Sequence, residues 1–238
     1  TVANGFNVTG MAYKARWSAT DQIPLRAVDA GILDRFGNVD ASDGGNSSRY
    51  SLSGEWRHSE GDITRSASLH AVRSRLDLYS NFTYFLDNPA DGDQFQQSER
   101  RTLWGGELAQ TWASRWGDRA VTHTVGIQGR RDRLSPVALH LTAARKRFSV
   151  VREDRVTVSN VSPYVSEQVE WTPWLRTIAG VRADFYRAEV DGGLAANSGK
   201  ASDSLVSPKL SAVLARGLGP NTSSTGPWLS QQRCAAHD

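Results

Sequence analysis

Side chains able to bind metals or perform catalysis are scattered along this chain of 238 residues. The histidines have no second ligand at a metal-binding spacing; they are His58, His70, His123, His140 and His237. The sole cysteine, Cys234, lies near the end, so the sequence offers no internal disulfide and no cysteine metal site. The chain also lacks a G-x-S-x-G motif and a phosphate loop. We therefore predict no enzyme activity, no metal and no cofactor.

Acidic residues could supply oxygen ligands for calcium in one polar segment, which contains Asp87, Asp91, Asp93 and Glu99. Their spacing lacks the glycine and glutamate positions of an EF-hand loop, so a solvated loop is the favoured interpretation. A carboxylate pair for glycoside hydrolysis stays open, because the sequence singles out no particular pair.

Five charged residues alternate with apolar neighbours: Arg49, Arg57, Arg176, Arg182 and Asp184. In an extended strand this alternation puts the charges on one face and the apolar side chains on the other. We predict that the five line a water-filled lumen. The four arginines could pair with carboxylates of a domain that fills the lumen, attract an anionic ligand, or simply keep the wall solvated.

Composition narrows the classes of protein. The net charge is +3, from 28 basic and 25 acidic residues, and the basic residues form no continuous stripe, which argues against nucleic-acid binding. Only 39% of residues are apolar, and no window approaches the ~20 apolar residues of a membrane helix, so any membrane role must use strands. The opening TVANGFNVTG lacks the basic and apolar regions of a signal peptide.

The elements that position these residues all have the pattern of strands. Alternating segments cover residues 5–17, 49–58, 63–86, 101–113, 119–130, 155–171, 175–187 and 206–215. The joins are alternately long and short, with tight turns at 59–62, 114–118 and 172–174 and long polar loops at 18–48, 87–100, 131–154 and 188–205. The third long segment could instead contain a brief helix or extend a strand. This arrangement predicts an antiparallel transmembrane β-barrel segment of about eight strands, with short periplasmic turns and long extracellular loops.

The clearest strand, 49–58, has Tyr50, Leu52 and Trp56 on one parity and arginine, serine and glutamate on the other. In 63–86 the apolar parity changes, so we predict a β-bulge between Ala71 and Leu76. In 155–171 the sequence offers no explanation for Glu167 on the apolar parity.

Aromatic residues gather near the strand ends. Trp56, Trp112, Trp116, Trp171 and Trp174 lie beside the short turns, whereas Tyr13, Trp17, Phe82, Tyr84, Phe185 and Tyr186 lie beside the long loops. We predict two aromatic belts, one at each membrane interface. After Ala215 the alternation ends, and residues 216–238 are predicted to be a disordered tail that is not native to the barrel.

Several stretches resemble the barrel of TonB-dependent outer-membrane receptors. They are RYSLSGEW from Arg49, SNFTYFLDNPADGDQFQQSERR from Ser80, WTPWLRTIAGVRADFYR from Trp171 and VSPKLS from Val206, within a span of about 4–215. The resemblance implies a 22-stranded barrel closed by a plug domain in the bacterial outer membrane. Such receptors use energy delivered by TonB to import scarce ligands such as ferric siderophores, cobalamin or glycans.

The chain has about eight strands and no plug, so we predict that residues 1–215 are part of such a barrel and do not transport a ligand alone. The expected partners are outer-membrane lipid, TonB, a plug and an unidentified small ligand. Two alternatives remain: a passive porin or adhesin barrel, and a soluble β-sandwich that binds or hydrolyses carbohydrate.

Overall fold

The computed structural model describes residues 4–19 and 22–214, which form one antiparallel sheet in the order β1 to β8. The strands are β1 Gly5–Ser18, β2 Gly44–Glu60, β3 Ile63–Ser80, β4 Phe95–Trp116, β5 Arg119–Ala143, β6 Lys146–Thr172, β7 Leu175–Gly192 and β8 Gly199–Leu214. Short helices, α1 Leu25–Asp29 and the 3-10 turn Ala195–Asn197, lie between strands. The tail predicted at 216–238, with Cys234 and His237, lies outside the described residues.

Each strand pairs with its neighbours in sequence, and the sheet does not close on itself, so β1 and β8 each have one strand partner among the described residues. This confirms the predicted all-β antiparallel class and the number of strands. A β-sandwich requires two packed sheets, whereas the described strands form one, so the soluble-sandwich alternative is wrong. In the described segments, no helix has the length and apolar character needed to cross a membrane.

Tight turns of two residues join the strands at one end of the sheet, at 61–62, 117–118 and 173–174. Gly61 and Gly117 have φ of +55° and +60°, the left-handed conformation that such hairpin turns require and that glycine adopts without strain. These turns confirm the predicted short connections and fix the register of three hairpins.

At the opposite end of the described sheet, two of the four predicted long loops are present, at 22–43 and 81–94. The predicted loop at 131–154 is a continuation of β5 and β6, joined by a two-residue turn at Ala144 and Arg145. Similarly, β7 and β8 occupy most of 188–205. These strands exceed the ~9–11 residues that cross a bilayer, and in water neither face has to be apolar. In β5 and β6, register shifts after Leu134 and Leu139 also interrupt the alternation that marks a strand.

The predicted bulge between Ala71 and Leu76 is wrong. The pairing of β3 with β2 and β4 runs without interruption through these residues. The register shifts instead between Glu99 and Arg101 on β4 and between Leu134 and Val137 on β5. The apolar side chains of β3 therefore change from one face of the sheet to the other along a regular strand.

Register divides the sheet into two faces across all eight strands. One, the apolar face, carries Phe6, Val8, Leu52, Trp56, Leu69, Trp104, Leu108, Val125, Ile127, Val161, Val165, Val181, Phe185, Val206 and Leu210. These side chains are largely exposed, as in Leu69 (71%) and Leu210 (80%). The opposite, polar face carries serine, threonine, arginine and carboxylate side chains. So continuous an exposed apolar surface requires a nonpolar environment or a partner.

Trp56, Trp112, Trp116 and Trp171 lie on the apolar face beside the short turns, and Trp174 lies in the turn before β7. Trp116 packs edge-on against Trp171 at 6.0 Å, and Arg119 lies over Trp171 at 4.8 Å. The second predicted belt is wrong in part. Tyr13, Trp17 and Tyr186 lie on the polar face, and Phe82 and Tyr84 lie in the loop after β3. On the apolar face, the aromatic residues toward that end are Tyr50, Trp104 and Phe185.

Candidate functional site

The five residues predicted to face a lumen all lie on the polar face: Arg49 and Arg57 on β2, and Arg176, Arg182 and Asp184 on β7. The structure joins only two of them, since Arg182 Nε lies 2.8 Å from Asp184 Oδ1. Within the described residues, Arg49 and Arg57 have no ion-pair partner. Their guanidinium groups therefore keep their full hydrogen-bonding capacity.

Arg182 and Asp184 belong to a wall cluster, which we define as Arg182, Asp184, Ser162 and Gln128. Ser162 is fully buried and donates a 2.6 Å hydrogen bond to Asp184, while Arg182 Nη1 donates to the Gln128 side chain on β5. The bond from β7 to β5 passes over β6. Side chains two strands apart meet more easily on a concave face than on a convex one, so this contact favours an inward-curving polar face.

A second contact across an intervening strand supports that curvature. Tyr164 on β6 donates its hydroxyl hydrogen to Glu107 on β4, and its ring lies over Gly126 on β5. A Cβ atom at residue 126 would lie 2.4 Å from Tyr164 Cζ. Glycine is therefore required here by the close approach of the ring.

Further along the polar face, two arginines share one carboxylate. Arg130 Nη2 lies 2.9 Å from Asp132 Oδ2, and Arg101 Nε lies 3.5 Å from Asp132 Oδ1. Arg101 also lies 3.2 Å from Glu99. The sequence does not reveal this group, because its pattern predicts a loop at Asp132; in the longer strand, Asp132 has the same parity as Arg130 and lies on the same face.

A loop network joins the two long loops to the turn between β5 and β6; we define it as Asp40, Ser42, Asp43, Gln94, Thr142 and Arg145. Gln94, only 1% exposed, donates to Ser42 Oγ at 2.7 Å and Asp43 Oδ1 at 3.0 Å. Its Oε1 accepts from Thr142 Oγ1 at 3.0 Å and from the Arg145 amide at 2.9 Å. One side chain thus connects three segments far apart in sequence.

Arg145 completes the loop network from the hairpin turn, where its φ is +66°. Its guanidinium donates to the carbonyl oxygens of Ser42 at 2.5 Å and Asp43 at 3.1 Å. Burial alone would raise the pKa of Asp40, but hydrogen bonds from Ser42 and Asn81, together with the charge of Arg145, lower it below its ordinary value. The loops are therefore held by the ionised form of Asp40.

The acidic residues considered for calcium do not form one ligand set. The Asp93 carboxylate accepts hydrogen bonds from the amides of Leu86 and Asn88 in its own loop. Glu99 lies on β4, where it contacts Arg101. Among the residues that the structure describes, no group of three acidic, histidine or cysteine side chains could hold a metal ion.

Glu167, unexplained by sequence, has a partner on the neighbouring strand. It lies directly opposite His123, with 3.1 Å between the Glu167 Oε2 and His123 Nδ1 atoms. His123 also stacks on Trp112 at 5.5 Å and contacts Ser114 Oγ at 2.9 Å. The carboxylate therefore lies in a polar group among the aromatic residues near the short turns.

The geometry defines a class of protein: a wall of antiparallel strands with one apolar and one polar face, short turns at one end and extended hairpins at the other. A family model described as TonB dependent receptor-like, beta-barrel matches residues 3–224. The chain belongs to this family, whose members are transporters. The match extends nine residues beyond the predicted boundary at 215.

Two solved structures share the fold. The ferric citrate transporter FecA in its unliganded form gives a TM-score of 0.70 at 13% identity, covering 88% of this chain and 31% of that chain. The ferric-catecholate import receptor Fiu from E. coli K12, in an open form, gives 0.53 at 11% identity, covering 88% and 41%. This chain thus spans less than half of either structure. No curated protein sequence matches it.

Proposed function

We propose that this chain forms part of the barrel wall of an outer-membrane receptor that imports a scarce ligand with energy delivered by TonB. The observation that carries the proposal is the apolar face, which continues across all eight strands opposite a polar, ion-paired face. In this arrangement the apolar face contacts lipid and the polar face lines the lumen. Outer-membrane lipid, a plug domain and TonB are the partners.

Transport requires more of the barrel than these strands. In lipid, the free edges of β1 and β8 would leave backbone donors and acceptors without partners, at a cost of several kcal/mol for each group. Further strands must therefore pair with both edges, as in a barrel of 22 strands. We infer that the eight strands alone are not competent for transport.

Within the lumen, we assign different roles to the predicted arginines. Arg182 is already held by Asp184 and Gln128, so it stiffens the wall. Arg49 and Arg57 have no such partners within the described segments, and they are the candidates for ion pairs with carboxylates of a plug. Arg176 has a buried Nε without a hydrogen-bond partner and is a third candidate.

Among the candidate ligands, ferric complexes should be tested before cobalamin and glycans. The two solved structures described above are named for iron compounds, ferric citrate and ferric catecholate. At such low sequence identity, these names indicate only which ligands to test first. Ligand specificity depends on the loops and plug of the complete receptor.

Uptake by cells tests this function directly. The complete receptor containing this chain would be expressed in Gram-negative cells with and without TonB, and uptake of labelled ferric siderophores, cobalamin and oligosaccharides would be followed. We expect one ligand to accumulate only when receptor and TonB are both present. Passive entry without TonB would support a porin and refute the proposal.

A further inference from the structure

Three polar side chains form a connected series on the apolar face near the short turns. Ser114 Oγ on β4 lies 2.9 Å from His123 Nε2 on β5, and His123 Nδ1 lies 3.1 Å from Glu167 Oε2 on β6. We define these three residues as the triad. The order of the atoms is that of a catalytic triad, in which one imidazole nitrogen contacts the nucleophile and the other contacts a carboxylate.

Register brings the triad together from three strands. Glu167 pairs directly with His123, and His123 pairs with Trp112, which lies two residues before Ser114 on the same face of β4. The rings of Trp112 and His123 stack at 5.5 Å, so the imidazole is held between a tryptophan and a carboxylate. The prediction of no enzyme activity rests on sequence motifs, and a site that register assembles leaves no such motif.

The contacts fix the position of the proton on a neutral His123. An ionised carboxylate can only accept hydrogen bonds, so Nδ1 of His123 carries the hydrogen that is donated to Glu167. Nε2 then has a free lone pair and accepts the hydroxyl hydrogen of Ser114. This is the arrangement required of a general base that removes a proton from a serine.

The other contacts between histidine and carboxylate in the described segments lack a hydroxyl group. His58 lies 4.0 Å from Glu60 and stacks on Trp56 at 6.1 Å, and His140 lies 3.7 Å from Glu153. Neither of these imidazoles has a hydrogen bond to a serine or threonine hydroxyl within the described ranges. The triad is therefore not a general consequence of placing histidine beside tryptophan near the border of the apolar face.

The position of the triad along the strands matches the depth of ester bonds in a bilayer. Ser114 lies on β4 between Trp112 and Trp116. Tryptophan rings concentrate at the headgroup level, where the esters of phospholipids join the hydrocarbon chains. Ser114 is exposed, and the side chains of His123 and Glu167 are 29% and 52% exposed, so a lipid can approach all three.

The surroundings of the triad suit both ends of a phospholipid. Toward the middle of the sheet, Val125 and Ile127 on β5 lead to an apolar groove of about 510 Å³, where Gly106 and Gly129 pair without side chains to fill it. An acyl chain can lie along this surface. Nearer the short turns, Arg119 at the start of β5 supplies a cation for the phosphate.

We propose that the triad hydrolyses the acyl ester of a phospholipid in the leaflet on the side of the short turns. Ser114 Oγ attacks the ester carbonyl carbon while its proton passes to His123 Nε2, and Glu167 stabilises the imidazolium. The bond to the glycerol oxygen then breaks, and this oxygen leaves with the proton from His123. The inference goes beyond the proposed import function and requires only its placement of the apolar face in lipid.

Water completes the reaction. His123 removes a proton from a water molecule as its oxygen attacks the carbonyl carbon of the acyl–serine ester. The bond from that carbon to Ser114 Oγ breaks, and the proton held by His123 restores the serine hydroxyl. The products are a fatty acid and a lysophospholipid, and no oxidant or other reactant is needed.

The test uses the complete receptor containing this chain, purified in parallel with its Ser114→Ala, His123→Ala and Glu167→Gln variants. The substrate is phosphatidylethanolamine with an isotopically labelled acyl chain in nanodiscs, and released fatty acid is measured by mass spectrometry. An alkyl fluorophosphonate is the second probe, because serine Oγ bonds to its phosphorus as fluoride leaves. The controls are His58→Ala, which removes a histidine without a hydroxyl partner, and Ser66→Ala, which removes an exposed serine on the polar face.

We expect hydrolysis by the parent and by both controls. Ser114→Ala and His123→Ala should lower the rate roughly a hundredfold or more, since a positioned general base contributes about 10²–10⁴-fold. Peptide mass spectrometry should find the fluorophosphonate on Ser114. Glu167 is a positioning residue that acts through His123, so Glu167→Gln should lower kcat and leave KM unchanged.

Several results would overturn the proposal. They are absence of hydrolysis by the parent, an unchanged rate in Ser114→Ala, and attachment of the fluorophosphonate to another serine. An equal loss of activity in the His58→Ala and Ser66→Ala controls would do the same, by showing that any damage to the sheet lowers the rate. A raised KM at constant kcat in Glu167→Gln would refute the positioning role of Glu167.

Two further readouts separate this proposal from the proposed function. Hydrolysis needs no energy from TonB, so it should be equal in cells with and without TonB, whereas ligand uptake should require TonB. Absence of hydrolysis with intact TonB-dependent uptake refutes only the triad. If urea and carbonate release the receptor from membranes as a soluble protein, the apolar face is not in lipid, and both proposals are refuted.

Discussion

Replacing Gln94 with leucine should release the loops at the hairpin end of the sheet. Gln94 is buried and makes five hydrogen bonds of 2.7–3.2 Å, to Asp40, Ser42, Asp43, Thr142 and Arg145. Leucine has a similar size but can form none of them. Taking three of the five at about 1 kcal/mol each gives a loss of about 3 kcal/mol for loop closure.

A loss of about 3 kcal/mol corresponds to roughly a hundredfold increase in the open population of the loop. Hydrogen–deuterium exchange of the complete receptor measures this directly, because amides of residues 22–43 should exchange roughly a hundredfold faster. The strands β6 to β8 should keep their protection. Gln97→Leu is the matched control, since Gln97 is an exposed residue of β4 without a side-chain hydrogen bond within the described part of the chain.

Exchange within threefold of the parent for residues 22–43 would show that the Gln94 hydrogen bonds do not hold the loop closed. So would an equal acceleration in the Gln97→Leu control. Faster exchange throughout the sheet would show that the loop network supports the whole wall and not only the loops.

Three further predictions concern the polar face, the loops and the border of the apolar face. Gly126→Ala should displace the Tyr164 ring and lower the free energy of unfolding by about 1–3 kcal/mol, measured by denaturant titration in lipid; an unchanged midpoint would contradict the contact. The loops are held by ionised Asp40, whose pKa is lowered, so the exchange protection of residues 22–43 should persist down to about pH 4 and decrease at lower pH. Loss of this protection between pH 7 and 5 would exclude the Asp40 carboxylate as the cause. A double-mutant cycle of His123→Ala and Glu167→Ala should show a coupling of about 0.5–1 kcal/mol, and strictly additive effects would contradict the cross-strand pair.

The sequence predicts the faces of the sheet well because strand geometry alone decides them. Alternate residues point to opposite sides, so Leu52 and Arg57 could be assigned to different faces without knowledge of any partner. The same rule fails beyond the apolar region. The sequence predicts a loop at 131–154 because the register shift between Leu134 and Val137 moves the apolar residues of the extended hairpin from even to odd positions and so interrupts the alternation.

Contacts that depend on register could not be predicted. The partner of Glu167 is visible only once β5 and β6 are aligned, and that alignment includes bulges near Leu134 that the sequence does not reveal. The residues of the loop network are still farther apart in sequence, since Arg145 donates a hydrogen bond to Ser42 across 103 positions. Parity identified the polar face but not which of its arginines would be paired.

We propose that one face of this sheet meets lipid and the other meets water. Spin labels at Leu52 and Ser53, adjacent residues on opposite faces of β2, distinguish the two environments in the complete receptor reconstituted in lipid. We expect the label at residue 52 to be relaxed mainly by oxygen, which dissolves in the bilayer, and the label at residue 53 mainly by a polar nickel reagent. The same response to both reagents at the two positions would show that the two faces do not differ in this way.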